Sequence, residues 1–476
     1  MRPILQSIQT AHTPESLVAR LAGERGVVLL RSAFFESPQA RYSFVAARPM
    51  FLFRSYGSRC EWDGMGQVQF GNPWLMLEEL MARYELLEEI DLPFPLGGCF
   101  GYWAYDLKDF VEPGLPRTAV NDLELPDCQV GFYDSLIVFD HRLDKTWIIS
   151  TGFMADGSRN AARAREQLDF WTAHLSSIPA PTAPADATGF QIESNLSREM
   201  FVAKVRRAQE YIRAGDIYQV NLSQRLSART SLTGWDFFER LCDVSPAPFA
   251  AYLDGGDFQI CSSSPEMFLR LHGLEIRTRP IKGTRPRSSD PTRDVQLTYD
   301  LQTSAKDMSE LVMITDLMRN DLGKLCEYGS VQVPELVRLE RYPQVQHLVS
   351  TITGRLRADL AHVSALASCF PGGSITGAPK IRAMEIIDEL EAVTRGPYTG
   401  AIGYLGFNRQ SQVNVAIRTA ICRRGDIYFH VGAGIVADSV PEMEYAETIA
   451  KAGGFLAALG QRQCSLEPAF SVRTVP

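Results

Sequence analysis

REMFVAKVRRAQEYIRAGDIYQVNLSQRLSA, residues 198–228, changes its period half-way, and that change decides the class of fold. The first part is helical by period and stops at Gly215, just past Arg213 and Ala214, where a left-handed cap is expected. The second part alternates as a strand, with Tyr218, Val220 and Leu222 on one face and Gln219, Asn221 and Ser223 on the other. A helix running straight into a strand, in a chain whose earlier part alternates in stretches such as GVVLLRSAFF and DSLIVFDHR, gives a mixed α/β (α+β) protein.

Composition sets the outer limits. The chain has 476 residues, 45% of them hydrophobic and 22% charged, which is globular usage with room for a deep core. A net charge of −8 with no basic block argues against nucleic acid as a partner. Nine scattered cysteines with no CxxC pair fit a reducing cytoplasm and exclude the common zinc spacings. The first residues lack a signal-peptide core and no apolar run of membrane-spanning length occurs, so a cytoplasmic protein with no membrane partner is expected.

The one compositional break is SSIPAPTAPADATG, residues 176–189. It divides the chain into an N-terminal region (1–175), a linker (176–194), a second region (195–462) and a tail (463–476).

Three short motifs mislead. GGCFG at 97–101 imitates a thiol nucleophile turn, but no histidine is followed by x-E to serve Cys99 as base, so a small core residue is expected. GGSITGAPK at 372–380 lacks the G-K-[ST] ending of a phosphate loop. GAGIVA at 432–437 is too near the C-terminus to open a dinucleotide-binding βαβ unit.

Chemistry gathers elsewhere. DMSELVMITDLMRNDLG (307–323) reads as a helix with Asp307 and Glu310 three apart on one face. PEMEYAETIAKAGGFLAAL (441–459) repeats the spacing with Glu444 and Glu447, and Lys451 follows one turn on. Two such helices suit a magnesium ion, and spacing alone equally fits two solvated faces. ICSSSPEMFLRL (260–271) sets Glu266 beside Met267 and Phe268, where burial suits a general acid and exposure makes it an ordinary carboxylate. Lys282 in RPIKGTRPR (279–287) lies across an apparent hairpin with its turn at His272 and Gly273. Regular pairing puts Glu266 and Lys282 on opposite faces, and a bulge restores them to one side.

Taken in order, DIYQVNLSQR, SSSPEMF, RPIKGTRPR, SAKDMSELVMITDLMRNDLG, VQHLVSTITG, FPGGSITGAPKIRAMEIIDELE, YTGAIGYLGF and VGAGIVADSVPEMEYAETIAKA resemble the chorismate-utilising enzymes, the family of anthranilate, isochorismate, salicylate and aminodeoxychorismate synthases. The likeness is strong over about residues 195–460 and looser before, through GGCFGYWAYD. It implies an anthranilate synthase-like body of two interleaved subdomains, facing mostly antiparallel sheets with helices outside. The 1–175 region then corresponds to the family's N-terminal part and 195–462 to its chorismate-binding catalytic part.

The resemblance also implies roles. Lys282, in a P-I-x-G-T slot where anthranilate synthases usually carry alanine, becomes the nucleophile of the aminodeoxychorismate-forming branch, with Arg279 and Arg285 available to lower its pKa. Glu266 becomes the general acid, and Glu310 and Glu447 the Mg2+ ligands, supported through water by Asp307 and Glu444. Gln219, Thr284, His347, Thr376, Tyr398, Arg418, Gly432 and Lys451 match positions of the chorismate pocket, with the GGSITG amides joining them at a helix N-terminus. Gln219 stands where water-adding relatives carry a lysine base. Ala305 departs from the family's S-E-K-D run at a position outside the metal set.

The implied partners are chorismate and a glutamine amidotransferase subunit supplying ammonia, and the product leads to p-aminobenzoate and folate. An anthranilate synthase and a non-catalytic subunit that kept the fold are the competing readings. Some relatives bind tryptophan between their sheets near a segment like LLRSAFFESPQARYSF (29–44), where a packed core is expected here.

Overall fold

Helix Arg198–Ala214 starts at Ser197, whose side chain accepts from Met200 N–H, and ends at Gly215 with φ 83°, a conformation glycine adopts without a Cβ penalty. Strand Gln219–Arg229 follows and pairs antiparallel with Asp426–Ile435. These elements belong to a computed structural model that describes residues 2–32, 40–63, 66–86, 91–179, 191–342, 344–460 and 473–474. Residues 180–190 of the expected linker, most of the expected tail and residues 33–39 lie outside the described residues.

Among the described residues the strands form two large sheets, of 13 and 12 strands, antiparallel except where Ile192–Ser194 meets Arg473–Thr474. Each sheet is built from both parts of the chain. In the first, Val28–Arg31 pairs with Phe249–Asp254, Arg31 opposite Ala250. In the second, Gly98–Trp103 pairs with Ala401–Gly406, Trp103 opposite Ala401. The body is therefore two interleaved sheets and not two separate units in sequence.

The sheets face each other through aromatic contacts such as Phe44 on Tyr404, 5.1 Å between ring centres, and Tyr102 on Phe258, 6.2 Å. Helices cover the outside. Leu17, Trp171, Phe237 and Phe455, each from a different helix, bury the outer face of the first sheet. Phe201, Val205 and Ile387 cover Val220, Leu222 and Ile435. A smaller cluster of Leu301, Leu311 and Leu348 seats helices Pro291–Gln302 and Ala305–Gly323 on strand Val345–Arg355. That last cluster fixes the position of the first acid-bearing helix.

Candidate active site

The hairpin question is settled by its backbone. The turn is Gly273–Leu274, one residue later than expected, with His272 opposite Glu275. The register then slips by one between Met267 and Arg270, a bulge that bends the strand end and re-aims its side chains. Beyond it, strand Ile281–Pro286 leaves this hairpin and pairs with Val345–Arg355. As a result the Ser374 side chain and Ile281 N–H lie near enough to the Glu266 carboxyl to lower its pKa, and Lys282 Nζ donates to Ser374 O at 3.3 Å. Glu266 and Lys282 thus converge on one residue.

Their environments push both toward the neutral form. Glu266 is 5% exposed, and burial raises its pKa against the opposing pull of Ser374, Lys282 and Ile281 N–H. Burial lowers the pKa of Lys282, and Lys451 adds to that, while Glu310, Glu266 and Glu447 oppose it. The arginines of RPIKGTRPR take no part. Arg279 is bonded to Glu340 at 2.5 Å and Arg285 to Asp307 at 2.8 Å, so the expectation that they lower the Lys282 pKa is corrected.

Gly283 explains the shape of the motif. It sits at φ +66° where the strand register shifts, and a Cβ there would lie 2.8 Å from Leu301 Cδ1 and 3.0 Å from Asp307 Cβ. Gly283→Ala is expected to lower stability by roughly 1–3 kcal/mol through backbone strain and overpacking, read from the midpoint of urea unfolding. An unchanged midpoint counts against this reading.

The acids come from two helix N-termini. Ser304 caps the helix Ala305–Gly323 by accepting from Asp307 N–H. Glu310 makes no hydrogen bond or ion pair of its own among the described residues, and burial raises its pKa, with Asp307 and Glu447 adding to the rise. On helix Pro441–Ala458, Glu447 pairs with Lys451 at 2.8 Å, and buried Glu444 accepts from Ser439 at 2.6 Å with Lys306 at 3.8 Å. Asp307 is held by Arg285, so Glu310 is the open carboxylate, facing a second one in Glu447.

No group of three or more His, Cys, Asp or Glu is arranged to hold a metal among the described residues. Two oxygen donors with like charges facing each other suit a hard cation that keeps waters or a substrate anion, and the residues present fit magnesium in that sense.

Around this centre, Gln219 is 2% exposed and its Oε1 has no hydrogen-bond partner. The polar face of its strand is buried, not wet, apart from half-buried Asn221. Arg418 meets no carboxylate among the described residues, and burial lowers its pKa. His347 bonds Thr284 Oγ1 at 2.8 Å, and burial with Arg418 nearby pushes its pKa down to about 4, leaving it neutral. Lys451 Nζ donates to Gly432 O at 2.8 Å. A Cβ on Gly432 would come within 2.8 Å of the Tyr398 hydroxyl, so glycine lets that ring approach. Thr376 is fully buried and its hydroxyl donates to Gly372 O at 3.1 Å. The GGSITG stretch is only a three-residue 3-10 helix, Gly373–Ile375, so no α-helix N-terminus stands there.

Sequence reasoning passed over the pair behind these residues. Arg395 and Glu391 form a buried two-pronged ion pair, at 2.8 and 2.7 Å. Arg395 also donates to Ile375 O, Asn221 O and Thr399 Oγ1, and Glu391 accepts from Ser223 N–H and Oγ. The i,i+4 spacing of an acid and an arginine was the available signal.

The three misleading motifs resolve structurally. Cys99 is fully buried in a strand, and burial pushes its thiol up to about 12. Lys380 pairs with buried Asp321 at 2.5 Å. GAGIVA ends the strand Asp426–Ile435, and a Cβ on its Gly434 would sit 2.5 Å from Gln219 Nε2. Among the described residues of 29–44, Leu29 and Phe44 are buried in the packed core, and a small pocket lined by residues that include Arg31, Ser32, Tyr42, Pro248 and Asn414 lies beside them between the sheets.

A family model described as chorismate binding enzyme matches residues 31–457. The chain belongs to the chorismate-binding enzymes. This chorismate-binding enzyme is 39% identical over 449 residues to aminodeoxychorismate synthase component 1 of Escherichia coli (strain K12), covering 94% of this chain and 96% of that one. It is 38% identical over 460 residues to anthranilate synthase component 1 of Acetivibrio thermocellus, covering 94% and 92%. The crystal structure of anthranilate synthase component I from Streptococcus pneumoniae TIGR4 superposes with a TM-score of 0.78 at 33% identity, over 89% of this chain and 93% of that one. No helix among the described residues is long and apolar enough to cross a membrane.

Proposed function

We propose that this chorismate-binding enzyme aminates chorismate at C4 to give 4-amino-4-deoxychorismate, using ammonia from a separate glutamine amidotransferase subunit. Relatives of both synthase names stand at nearly equal identity, so overall similarity does not separate the two products. The observation that carries the reading is Lys282, whose Nζ meets Ser374 O beside the buried Glu266 carboxyl.

In the proposed sequence, Lys282 Nζ attacks C2 of chorismate, both ring double bonds shift (C1=C2 to C1=C6 and C5=C6 to C4=C5), and the C4–O bond breaks. Glu266, whose pKa burial raises, gives its proton to the departing hydroxyl, which leaves as water. Ammonia then attacks C4, both double bonds return, the C2–Nζ bond breaks to restore the lysine, and the surplus proton on nitrogen passes back to Glu266. The enolpyruvyl group is retained. Gln219 lacks the basicity to deprotonate water, and its unpaired Oε1 offers an acceptor to an N–H of the incoming ammonia. Arg418 and Lys451 supply positive charge for the substrate carboxylates. Glu310 and Glu447 would hold a magnesium ion, whose contribution when bound is to neutralise and orient a substrate carboxylate. Cys99 is unsuited to release ammonia from glutamine, which supports a separate subunit as its source.

Product analysis of the purified chain with chorismate, ammonium and magnesium tests this directly. Formation of 4-amino-4-deoxychorismate without pyruvate is expected. Pyruvate with fluorescent anthranilate would establish the neighbouring reaction instead, and turnover of glutamine by the chain alone would remove the partner.

The amine has its own test. Lysine attacks only as the free base, so a lowered pKa moves reactivity to lower pH. Lys451→Met removes a positive charge that holds the Lys282 pKa down, and Glu310→Gln removes a negative charge that holds it up. In magnesium-free protein, half-maximal acetylation of Lys282, followed by peptide mass spectrometry across pH, is expected to shift upward in Lys451→Met and downward in Glu310→Gln. Shifts of the opposite sign would contradict the assignment.

A further inference from the structure

A small cavity lies behind the Tyr398 wall of the site, away from Lys282. Asp106, Asp127, Thr394, Arg395 and His430 are among the residues that line it, and it has room for about one water-sized molecule. Its outer side is the loop carrying Asn121, which is exposed. Its inner side is His430, whose ring stacks on Tyr398 with 5.1 Å between centres and 14° between planes. Tyr398 in turn packs its hydroxyl against Gly432, which Lys451 bonds. The cavity therefore stands between the surface and the chorismate pocket, one ring stack from the latter.

Its mainly apolar lining carries three acceptor side chains, Asp106, Asp127 and His430. His430 is 4% exposed and its Nε2 has no hydrogen-bond partner. Burial first, then Arg225 and Arg395, hold its pKa well below the usual value, so the ring is neutral and can present a lone pair. Asp106 Oδ2 accepts from Gly396 N–H at 2.8 Å and Asp127 Oδ2 from Gly57 N–H at 2.6 Å, each leaving a second oxygen. Burial lifts the Asp106 pKa to about 7, with the nearby Asp127 adding to the rise, and burial also raises that of Asp127.

The cations nearby are already engaged. All three nitrogens of the Arg395 guanidinium donate to Glu391, Ile375 O, Thr399 and Asn221 O, and Lys108 pairs with Asp109 at 2.7 Å. A water donates at most two hydrogen bonds, so three acceptors around it leave one unmet. A tetrahedral cation with four N–H groups can serve Asp106, Asp127 and His430 together.

We infer that this cavity is a binding site for one ammonium ion, held by Asp106, Asp127 and His430 on its way to the chorismate pocket. The inference rests on ammonia being the co-substrate. On departure one N–H bond breaks, the proton passes to an Asp106 carboxylate oxygen, and neutral ammonia moves on past the His430–Tyr398 stack.

The test uses the whole chain with chorismate and magnesium saturating and ammonium varied. Asp106→Asn is expected to raise the KM for ammonium about tenfold, the scale of one charge-assisted hydrogen bond. The KM for chorismate is expected to stay within about twofold, because one such bond to ammonium touches no substrate contact. An unchanged ammonium KM, or equal rises in both constants, overturns the site.

Crystals of the unaltered chain soaked in thallium(I), a monovalent stand-in for ammonium, give a second readout that needs no activity and no folded variant. An anomalous peak between Asp106 and His430 is expected, and an empty or water-filled cavity overturns the proposal. Neither readout depends on which product forms. A chain that makes anthranilate would therefore refute the proposed function and leave this site standing.

Discussion

Lys282→Ala is expected to lose 4-amino-4-deoxychorismate formation by on the order of 10²-fold or more, the scale on which a positioned group acts in a transition state. The KM for chorismate should change little, because the groups proposed to hold the substrate carboxylates, Arg418 and Lys451, belong to other elements. Truncation also removes a partly buried cation that opposes the negative charge of Glu266, Glu310 and Glu447. The pKa values of Glu266 and Glu310 then rise further, which favours the protonated form of Glu266. The variant thus keeps its general acid and loses only its nucleophile. Two measurements separate these parts: steady-state kinetics, and mass spectrometry of the chorismate-treated protein for an adduct of chorismate less one water on residue 282. Wild-type turnover in Lys282→Ala would falsify the covalent route, while a silent variant that still binds chorismate supports it.

How much of this was legible in the sequence follows from the range of the interactions. The helix stop at Gly215 and the capped helix carrying Asp307 and Glu310 are local events, written in period and cap residues, and both were readable. The facing sheets were not readable from period. Arg31 meets Ala250 and Trp103 meets Ala401 across more than 200 residues, and alternation along a strand does not name its neighbour. That part of the architecture came from the family resemblance. The hairpin stayed undecided for a finer reason. A single extra residue between Met267 and Arg270 reverses which side chains share a face, and nothing in EMFLRLHG marks it. The arginines beside Lys282 were misjudged because their partners, Glu340 and Asp307, are distant in sequence. Nothing in DIYQVNLSQ marks its polar face as buried, whereas Glu391 and Arg395, arriving from more than 150 residues away, bury it.

That buried pair carries the second large effect. Arg395→Met should destabilise the fold by about 3–5 kcal/mol, since it leaves the Glu391 carboxylate buried with only Ser223 as a partner. The same change frees Ile375 O and Asn221 O, the backbone points that tie GGSITG and the Gln219 strand together beneath Tyr398. Chorismate affinity is then expected to fall along with stability, because Ser374 and Gln219 lose their shared anchor. A double variant, Arg395→Met with Glu391→Leu, tells a lost charge partner from lost packing. With both charges gone, no unpaired carboxylate remains, so the double variant should unfold at higher denaturant than Arg395→Met alone. Its KM for chorismate should stay raised, because the anchor is still missing. Full recovery of both stability and KM would show that the pair only balances its own charge; recovery of stability alone assigns Arg395 the positioning of the pocket's inner wall.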